Sequence, residues 1–357
     1  MKAYQIKQLA HPSKIHSSND VPIPTPQQVQ VLVDVYAAGV NFFDILQAQG
    51  KYQSKPPLPF VLGAEFAGRI SDKSPLPPGC RFKRGGTSGC LPQRYSPQAV
   101  ERSSSDRVFG HAQGAYAEHV VADPRGLLPI PDNLSYEQAA VVFLTYTTSY
   151  EGLVGRGQAK PDDWVLVHAG AGGVGLAACQ IAKVLGCKVI ATAGSEEKRR
   201  ICIEKAGVHA AVHYGKSDWQ KEVMQITGGK GVNVVFDPVG LLIPSLRCVA
   251  WNARLVVVGF AGGTIEKVPA NLLLLKQVSI VGLFWGATFG KDPPRAKQVL
   301  NEVMSLLSSG KVVPILYEPV YDGLESVTQA LADLEGRKTW GKAVIRVRRE
   351  QGERAKL

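Results

Sequence analysis

Six consecutive residues near the middle of the 357-residue chain have the spacing of a phosphate-binding turn. They include Gly170, Gly172, Gly173, Val174 and Gly175, and they fit the pattern G-x-G-x-x-G. Glycine lets the backbone turn tightly and approach a pyrophosphate, whose charge then meets free N–H groups and the positive end of a helix. The motif alone is weak, but here it lies between a predicted buried strand and a predicted helix, which is the supporting context. The chain is therefore expected to bind a dinucleotide.

The end of the next predicted strand indicates which dinucleotide to expect. An NAD site usually carries Asp or Glu about 20 residues beyond the glycines, where the carboxylate bonds the ribose 2′-hydroxyl. Here Ser195 stands at the end of the strand, and Lys198 follows one helical turn later. A hydroxyl and an ammonium suit a 2′-phosphate, so NADPH is the expected cofactor. Glu196 and Glu197 are contrary observations, although acids are also ordinary at a helix N-terminus.

The elements around the glycines predict a parallel sheet. Trp164–Ala169 is a continuous apolar run, as expected for a strand that is buried on both faces. Strands then alternate with helices, which implies a doubly wound sheet of six strands with right-handed crossovers. The later strands are predicted at Lys188–Ala193, Ala211–Tyr214, Val232–Phe236, Arg254–Gly259 and Val278–Phe284, and helices at Glu197–Ala206 and Trp219–Ile226.

Residues 1–133 have a different pattern of short β-branched runs broken by Pro and Gly. Runs such as Gln28–Ala37 and Gly114–Val121 are typical of a small antiparallel or barrel-like β domain. We predict an α/β protein in which this domain is completed by residues 288–357, with Lys342–Val347 as a strand, and in which residues 134–287 bind the dinucleotide. Residues 85–105 are polar and unpatterned, so they are interpreted as an insertion or as a retained intron.

Composition narrows the class of protein. A hydrophobic fraction of 45% allows a sizeable core, and no apolar run is long enough to cross a membrane. The N-terminus lacks a signal-type apolar segment, so a cytoplasmic protein is expected. The six cysteines form no Cys-x-x-Cys pair, which argues against a disulfide framework and a structural zinc site. The net charge of +11 is concentrated in residues 80–107 and 346–357, so nucleic-acid binding is a weak interpretation.

The stretch from Val167 to Lys183, which contains the glycine motif, closely resembles the zeta-crystallin-type quinone oxidoreductases of the medium-chain dehydrogenase/reductase superfamily. The resemblance covers nearly the whole chain apart from residues 85–105. Its other segments are Ala38–Asn41 with Asp44, Gly50–Tyr52, Pro59–Gly68, Asp106–Val108, Gly114–Glu118 and Phe236–Gly240.

This resemblance implies a GroES-like catalytic domain, a Rossmann domain, a cofactor cleft between them and a homodimer. It also implies that Asn41 and Thr145 lie near the nicotinamide and its ribose. The positions that it implies around the 2′-phosphate are Ser195, Lys198 and Tyr214. Three more positions are expected to contact the cofactor, namely Gly259, Phe284 and Arg337, and Phe284 with Trp285 either lines the acceptor pocket or packs in the core.

The resemblance further implies an enzyme without zinc. Where alcohol dehydrogenases of the superfamily carry a cysteine ligand, this chain has Asn41, and where they carry Gly-His-Glu it has Gly63-Ala64-Glu65. A catalytic zinc needs about three protein ligands. Without a Lewis acid, a quinone or an enone is a better acceptor than an alcohol or aldehyde, because conjugation delocalises the incoming charge.

Two residues are proposed as catalytic. Tyr52, which matches the catalytic tyrosine of related enoyl reductases, is expected to donate a hydrogen bond to the developing oxyanion. Asn41 is expected to position the nicotinamide or the acceptor oxygen. Structural roles for both residues remain open. His168 is expected to be a core histidine, and His111 and His119 have no ligand-like partners near them in the sequence.

Three functions stay open at this point. NADPH-dependent reduction of quinones is the first, and reduction of an enone or enoyl thioester is the second. The third is a weakly catalytic NADPH-binding protein of crystallin-like or RNA-binding type. The physiological acceptor, one- or two-electron transfer, and the face of the nicotinamide that gives the hydride also stay open.

Overall fold

The computed structural model describes residues 1–84 and 106–350. The expected insertion at 85–105 lies outside the described residues, as do residues 351–357. The chain forms two compact units, a first unit of Met1–Phe143 with Leu316–Leu357 and a second unit of Leu144–Ile315. The boundaries expected from the sequence fall earlier, at 133/134 and 287/288.

Side-chain contacts explain why both boundaries between the units lie later in the chain than expected. Tyr136 stacks on Tyr36 with ring centroids 4.3 Å apart, which keeps the segment after residue 133 with the first unit. Arg295 donates two hydrogen bonds, of 2.9 and 2.7 Å, to the carboxylate of Glu151, which keeps the segment after residue 287 with the second unit.

Fifteen strands lie in the described part of the chain, and their bounds are β1 Gln5–Ile6, β2 Val31–Gly39, β3 Phe60–Val61, β4 Glu65–Ile70, β5 Arg107–His111, β6 His119–Ala122, β7 Leu128–Pro129, β8 Trp164–Val167, β9 Lys188–Ala193, β10 Ala210–His213, β11 Val232–Asp237, β12 Val249–Val257, β13 Ser279–Gly282, β14 Tyr321–Asp322 and β15 Val344–Arg346.

The α-helices of the same residues are α1 Phe42–Ala48, α2 Tyr136–Ala139, α3 Val142–Tyr150, α4 Gly173–Val184, α5 Glu196–Glu204, α6 Trp219–Ile226, α7 Leu242–Ser245, α8 Ala270–Lys276, α9 Trp285–Lys291, α10 Pro293–Ser308 and α11 Val327–Glu335. A π-helix at Glu151–Arg156 continues α3, and short 3-10 turns lie at Pro12–Lys14, Pro124–Gly126 and Leu324–Ser326.

The second unit is built on a six-stranded parallel sheet in the order β10-β9-β8-β11-β12-β13. This is the Rossmann strand order, and it confirms the expected sheet. Its central strands carry fully buried side chains such as Leu166, Ile190 and Val235, because parallel strands are covered on both faces.

The prediction for β12 was wrong in its start. The strand begins at Val249 rather than Arg254 and includes exposed Trp251 and Asn252. Asn252 has a positive φ of 65°, and the pairing with β11 shifts between Val232 and Val234. Such an irregular strand start lacks the continuous apolar pattern from which strands are predicted.

The first unit contains a seven-stranded sheet in the order β14-β15-β2-β4-β5-β7, with β6 also paired to β2. Its pairs are antiparallel apart from β14 with β15. The carboxyl-terminal strand β15, which lies within the strand predicted at Lys342–Val347, pairs with β2. The strand predicted at Gly114–Val121 forms only from His119, because the N–H groups of Gly114 and Tyr116 instead bind carbonyls of the Gly63 turn.

Candidate functional site

The glycine motif forms the turn between β8 and α4 in the second unit. Gly172 caps α4, whose first N–H groups are thus directed out of the helix. A Cβ atom on Gly175 would lie 2.2 Å from the carbonyl oxygen of Ala169, and one on Gly170 would lie 2.6 Å from the Cβ of Ala191. These contacts explain why glycine is needed at both positions. The turn presents backbone donors and a helix N-terminus, the arrangement that binds a pyrophosphate.

Helix α3 is tied to this turn by a residue that the sequence analysis missed. The hydroxyl of buried Ser149 lies 2.8 Å from the carbonyl oxygen of Thr145 and 2.9 Å from that of Val174. Thr145, expected near the nicotinamide ribose, is therefore held close to the amino-terminal turn of α4. A serine hydroxyl inside a helix gives no signal in the sequence that it bonds to a second helix.

The residues expected around a 2′-phosphate come together at the end of β9. The Ser195 hydroxyl caps α5 by accepting a hydrogen bond of 3.2 Å from the backbone N–H of Lys198. The Tyr214 hydroxyl would lie 2.9 Å from a Cβ atom on Gly194, so this ring covers the same turn. The Ser195 hydroxyl, the Lys198 backbone N–H and the Tyr214 ring thus lie at one turn, beside the positive end of α5.

One of the two acids of this turn, Glu196, repels a phosphate less than the sequence indicated. Glu196 is bound at 2.7 Å by the Nη1 atom of Arg199. The Nε atom of Arg199 also donates a 2.7 Å hydrogen bond to the carbonyl oxygen of Ala211, which fixes the guanidinium. Because Arg199 offsets the charge of Glu196, the repulsion expected from that carboxylate is reduced.

Gly259 and Phe284 line one shallow depression of about 300 Å³ in the second unit, together with Val257, Val258, Phe260, Gly282 and Leu283. Phe284 is 69% exposed, whereas Trp285 is buried and packs edge-on against Phe289. Of the two aromatics considered for a pocket, Phe284 is accessible to a ligand and Trp285 belongs to the core.

Three side chains of the first unit, Asn41, Glu65 and Lys342, form a buried array that we term the Asn–Glu–Lys cluster. The Lys342 Nζ atom lies 2.8 Å from Glu65 Oε1, with side chains 9% and 0% exposed. Lys342 also donates to the carboxamide oxygen of Asn41, whose Nδ2 donates a 3.0 Å hydrogen bond to the same Glu65 oxygen. The amide is therefore held at both ends by an ion pair.

The neighbouring acid Asp44 is fully buried on α1. The Asn41 backbone N–H and the Tyr116 hydroxyl both donate to its Oδ2, at 2.9 and 2.5 Å. Burial raises the pKa of Asp44 to about 7, although the Tyr116 hydrogen bond acts in the opposite direction. Its Oδ1 has no hydrogen-bond partner among the described residues.

Tyr52 is half-buried and stacks on Phe43, with ring centroids 5.2 Å apart. Burial, and then the charge of Asp44, raise the pKa of the Tyr52 phenol above its ordinary value. The hydroxyl therefore keeps its proton and is a hydrogen-bond donor, as the proposed role requires. Arg337 is exposed just after α11, in a left-handed conformation with φ of 55°.

His111 and His119, for which no ligand-like partners were expected, each lie near one acidic residue. His119 Nδ1 lies 2.7 Å from Asp34 Oδ1, and His111 on β5 is directly opposite Glu65 on β4. Both partners are distant in sequence and are brought close by sheet pairing. His168 is a core histidine, as expected: its ring nitrogens lie 2.9 Å from Thr192 Oγ1 and 2.7 Å from Ser245 Oγ.

Among residues 1–84 and 106–350, no three His, Cys, Asp or Glu side chains are grouped so that they could hold a metal. The described cysteines are free thiols, at positions 80, 179, 187, 202 and 248. No helix in this part of the chain is both long and apolar enough to span a bilayer.

Comparison with known proteins agrees with this architecture. Residues 27–132 match the alcohol dehydrogenase GroES-like domain, and residues 173–308 match the zinc-binding dehydrogenase family. A GroES-like unit combined with a Rossmann unit that carries a dinucleotide turn defines the medium-chain dehydrogenase/reductase superfamily, and the protein is an oxidoreductase of this class.

Individual relatives narrow the assignment. Quinone oxidoreductase-like protein 2 of Bos taurus is 37% identical over 328 residues, which are 90% of this chain and 87% of the relative. The quinone oxidoreductase of Homo sapiens is 28% identical over 97% of both chains. The crystal structure of Escherichia coli quinone oxidoreductase complexed with NADPH superimposes with a TM-score of 0.79 at 30% identity, covering 97% of this chain and 99% of that one. The chain belongs to the quinone oxidoreductase family.

Proposed function

We propose that the protein reduces quinones by hydride transfer from NADPH and that it does so without zinc. The observation that carries this proposal is the Asn–Glu–Lys cluster, in which Asn41 and Glu65 stand at positions that the resemblance relates to the zinc-binding residues of alcohol dehydrogenases. An ammonium 2.8 Å from Glu65 already supplies the positive charge that this buried carboxylate needs.

The donor set of the first unit does not fit a zinc ion. Asn41 uses its amide oxygen to accept from Lys342, and Ala64 offers only a buried methyl group. Zinc in proteins takes sulfur, imidazole or carboxylate ligands, and a cation beside Glu65 repels a second one. The match to the zinc-binding dehydrogenase family covers residues 173–308 and includes neither position.

The residues of the second unit fit NADPH. The glycine turn and the start of α4 suit the pyrophosphate, and Ser195, Lys198 and Tyr214 suit the 2′-phosphate. When bound, NADPH supplies a hydride, and the protein contributes orientation and electrostatics. The expectation is supported by the NADPH complex of the Escherichia coli relative.

Lys198→Ala tests the cofactor assignment. Removal of one charge-assisted hydrogen bond of about 1.5–3 kcal/mol should raise the KM for NADPH by about tenfold or more, while NADH turnover should barely change. Arg200→Ala is the matched control, because Arg200 lies on the same helix and pairs with Glu204 at 3.9 Å on the surface. Equal losses with NADPH and NADH would contradict the assignment.

On the acceptor side, we propose Tyr52 as the donor to the developing oxyanion and Asn41 as a positioning residue. The oxygen and the nitrogen of the Asn41 side-chain amide are both hydrogen-bonded within the cluster, so this side chain acts by fixing the shape of the site. Tyr52→Phe keeps the stack on Phe43 and removes only the hydroxyl. A decrease in kcat of about 10²-fold is expected from loss of one oxyanion donor, and an unchanged kcat with every acceptor would remove the role.

Reduction of enones or enoyl thioesters is the second candidate, because a phenol donor such as Tyr52 serves any conjugated carbonyl oxygen. A panel of quinones, enones and enoyl thioesters, assayed by NADPH oxidation, separates the two. Higher kcat/KM for quinones supports the first proposal, and higher kcat/KM for enoyl substrates supports the second.

We also propose a homodimer. Strand β13 is one of the two edge strands of the parallel sheet, and α8, which precedes it in the chain, exposes Leu274 and Leu275 by 79% and 68%. An open strand edge beside exposed leucines is suited to a second copy of the chain. Sedimentation should show a dimer that Leu274→Asp/Leu275→Asp dissociates, whereas Val29→Asp, at a 59% exposed position of the first unit, should not. A monomeric wild type would contradict the proposed dimer. A cytoplasmic location remains an expectation from the sequence.

A further inference from the structure

Hydride transfer to a conjugated carbonyl leaves a negative charge on the acceptor oxygen, and this charge must be neutralised by a proton. Three proton-bearing side chains in or near the Asn–Glu–Lys cluster are unsuited to donate this proton. The pKa values of Tyr52 and Tyr116 are raised, chiefly by burial, so both phenols hold their protons near neutral pH. The Tyr116 hydroxyl is also engaged by Asp44, and the Lys342 ammonium by Asn41 and Glu65.

His111 is placed differently. It is the last residue of β5, and its side chain reaches solvent. Its Cα pairs across the antiparallel ladder with that of Glu65, which pairs in turn with Gly39 on β2. Directly opposed residues of antiparallel strands project from the same face of the sheet, so His111 and Glu65 share a face.

One ring contact and one neighbouring charge define the surroundings of the imidazole. Its ring stacks on Phe143, with centroids 5.9 Å apart and planes inclined by 26°. Glu65 is the charged group opposite on β4, and it is paired in turn with Lys342 and Asn41. Burial lowers the pKa of His111 below its ordinary value, and the Glu65 carboxylate partly opposes this effect. A lowered pKa makes the His111 imidazolium a stronger acid than a free imidazolium in water.

We propose that His111 is the general acid that protonates the reduced acceptor, an inference that rests on the proposed quinone reduction. The acceptor gains two electrons and one hydrogen as hydride from NADPH, which is oxidised, and its carbonyl oxygen becomes negative. An N–H bond of the His111 imidazolium then breaks and an O–H bond forms on that oxygen. The neutral imidazole takes a proton from water through the solvent-accessible side of the site.

The test uses the full-length enzyme with NADPH and a 1,4-benzoquinone. Wild-type kcat should fall as the pH rises through the pKa of His111, because the protonated form is required. His111→Ala should lower kcat by about 10²-fold, the lower range for a general acid, and added imidazole should restore activity. His16→Ala, at another exposed histidine of the first unit, should behave as wild type.

An independent readout uses NMR. Saturation with the hydroquinone product should shift the imidazole resonances of His111 and leave those of His16 unchanged, while the Kd for NADPH of His111→Ala should match that of wild type. A kcat of His111→Ala close to wild type, a loss that imidazole leaves unchanged, or unshifted His111 resonances would overturn the proposal. A wild type that reduces no quinone would refute the proposed function instead.

Discussion

Replacing Lys342 by methionine should destabilise the first unit far more than loss of a surface charge. The ammonium is held 2.8 Å from fully buried Glu65 and also donates to Asn41. Lys342→Met leaves the Glu65 carboxylate buried with its charge uncompensated, and breaking a buried pair in this way costs about 3–5 kcal/mol. The side chains are 9% and 0% exposed, so solvent offers little screening.

Urea denaturation, followed by hydrogen exchange in peptides of β2, β4 and β15, measures this loss in the first unit. Lys338→Met is the matched control, because its 3.1 Å pair with Asp333 involves a lysine side chain that is 68% exposed, and a pair of this kind is worth about 0–1 kcal/mol. The double variant Lys342→Met/Glu65→Gln should recover most of the loss, since the uncompensated charge is gone. If Lys342→Met costs no more than Lys338→Met, the buried ion pair does not have the role assigned to it.

Three further predictions concern other contacts. Burial raises the pKa of Asp44 to about 7, whereas the pKa of Asp in an unfolded chain is about 3.9. Between these values the folded protein binds one more proton than the unfolded chain, so its stability falls as the pH rises through this window, by up to about 4 kcal/mol. Urea titrations of Asp44→Asn across this range should lack this decrease in the free energy of unfolding with pH, and an unchanged decrease would count against the assignment. The added Cβ atom of Gly175→Val would lie 2.2 Å from the Ala169 carbonyl oxygen and clash with it. Calorimetry should therefore detect no NADPH binding while the first unit stays folded. Wild-type affinity for NADPH would show that close packing at this glycine is not required. Ser149→Ala should lower stability by about 0.5–1.5 kcal/mol, the net value of one hydrogen bond, and weaken NADPH binding, and no change in either would mean that this hydroxyl does not fix α3.

Much of the second unit was predictable from sequence because its signals are local. Buried parallel strands are continuous apolar runs, and Lys188–Ala193 and Trp219–Ile226 were predicted with the bounds that the structure has. The glycine turn was also recognisable, since its spacing follows from backbone geometry. Strand β12 departed from its prediction where an exposed, irregular start breaks the apolar pattern.

The first unit was less predictable because its functional contacts join distant segments. Lys342 was visible only as the start of a strand, and no local pattern relates it to Glu65. Glu65 was noted only as part of Gly63-Ala64-Glu65, the segment that replaces Gly-His-Glu of the alcohol dehydrogenases. No role was predicted for His111, because only the pairing of β4 with β5 places it opposite Glu65. Pairing of β15 with β2 and of β4 with β5 creates these contacts, and side-chain function there depends on register.

The proposed hydride transfer to a conjugated acceptor needs no zinc, since the Lys342 ammonium supplies the positive charge beside Glu65. The most direct measurement is the kcat/KM for a 1,4-benzoquinone with NADPH, determined on chelator-dialysed enzyme whose zinc content has been measured. Full activity is expected at negligible zinc content, with no gain when zinc is added back. Activity that is lost on dialysis and returns in proportion to bound zinc would contradict the proposal.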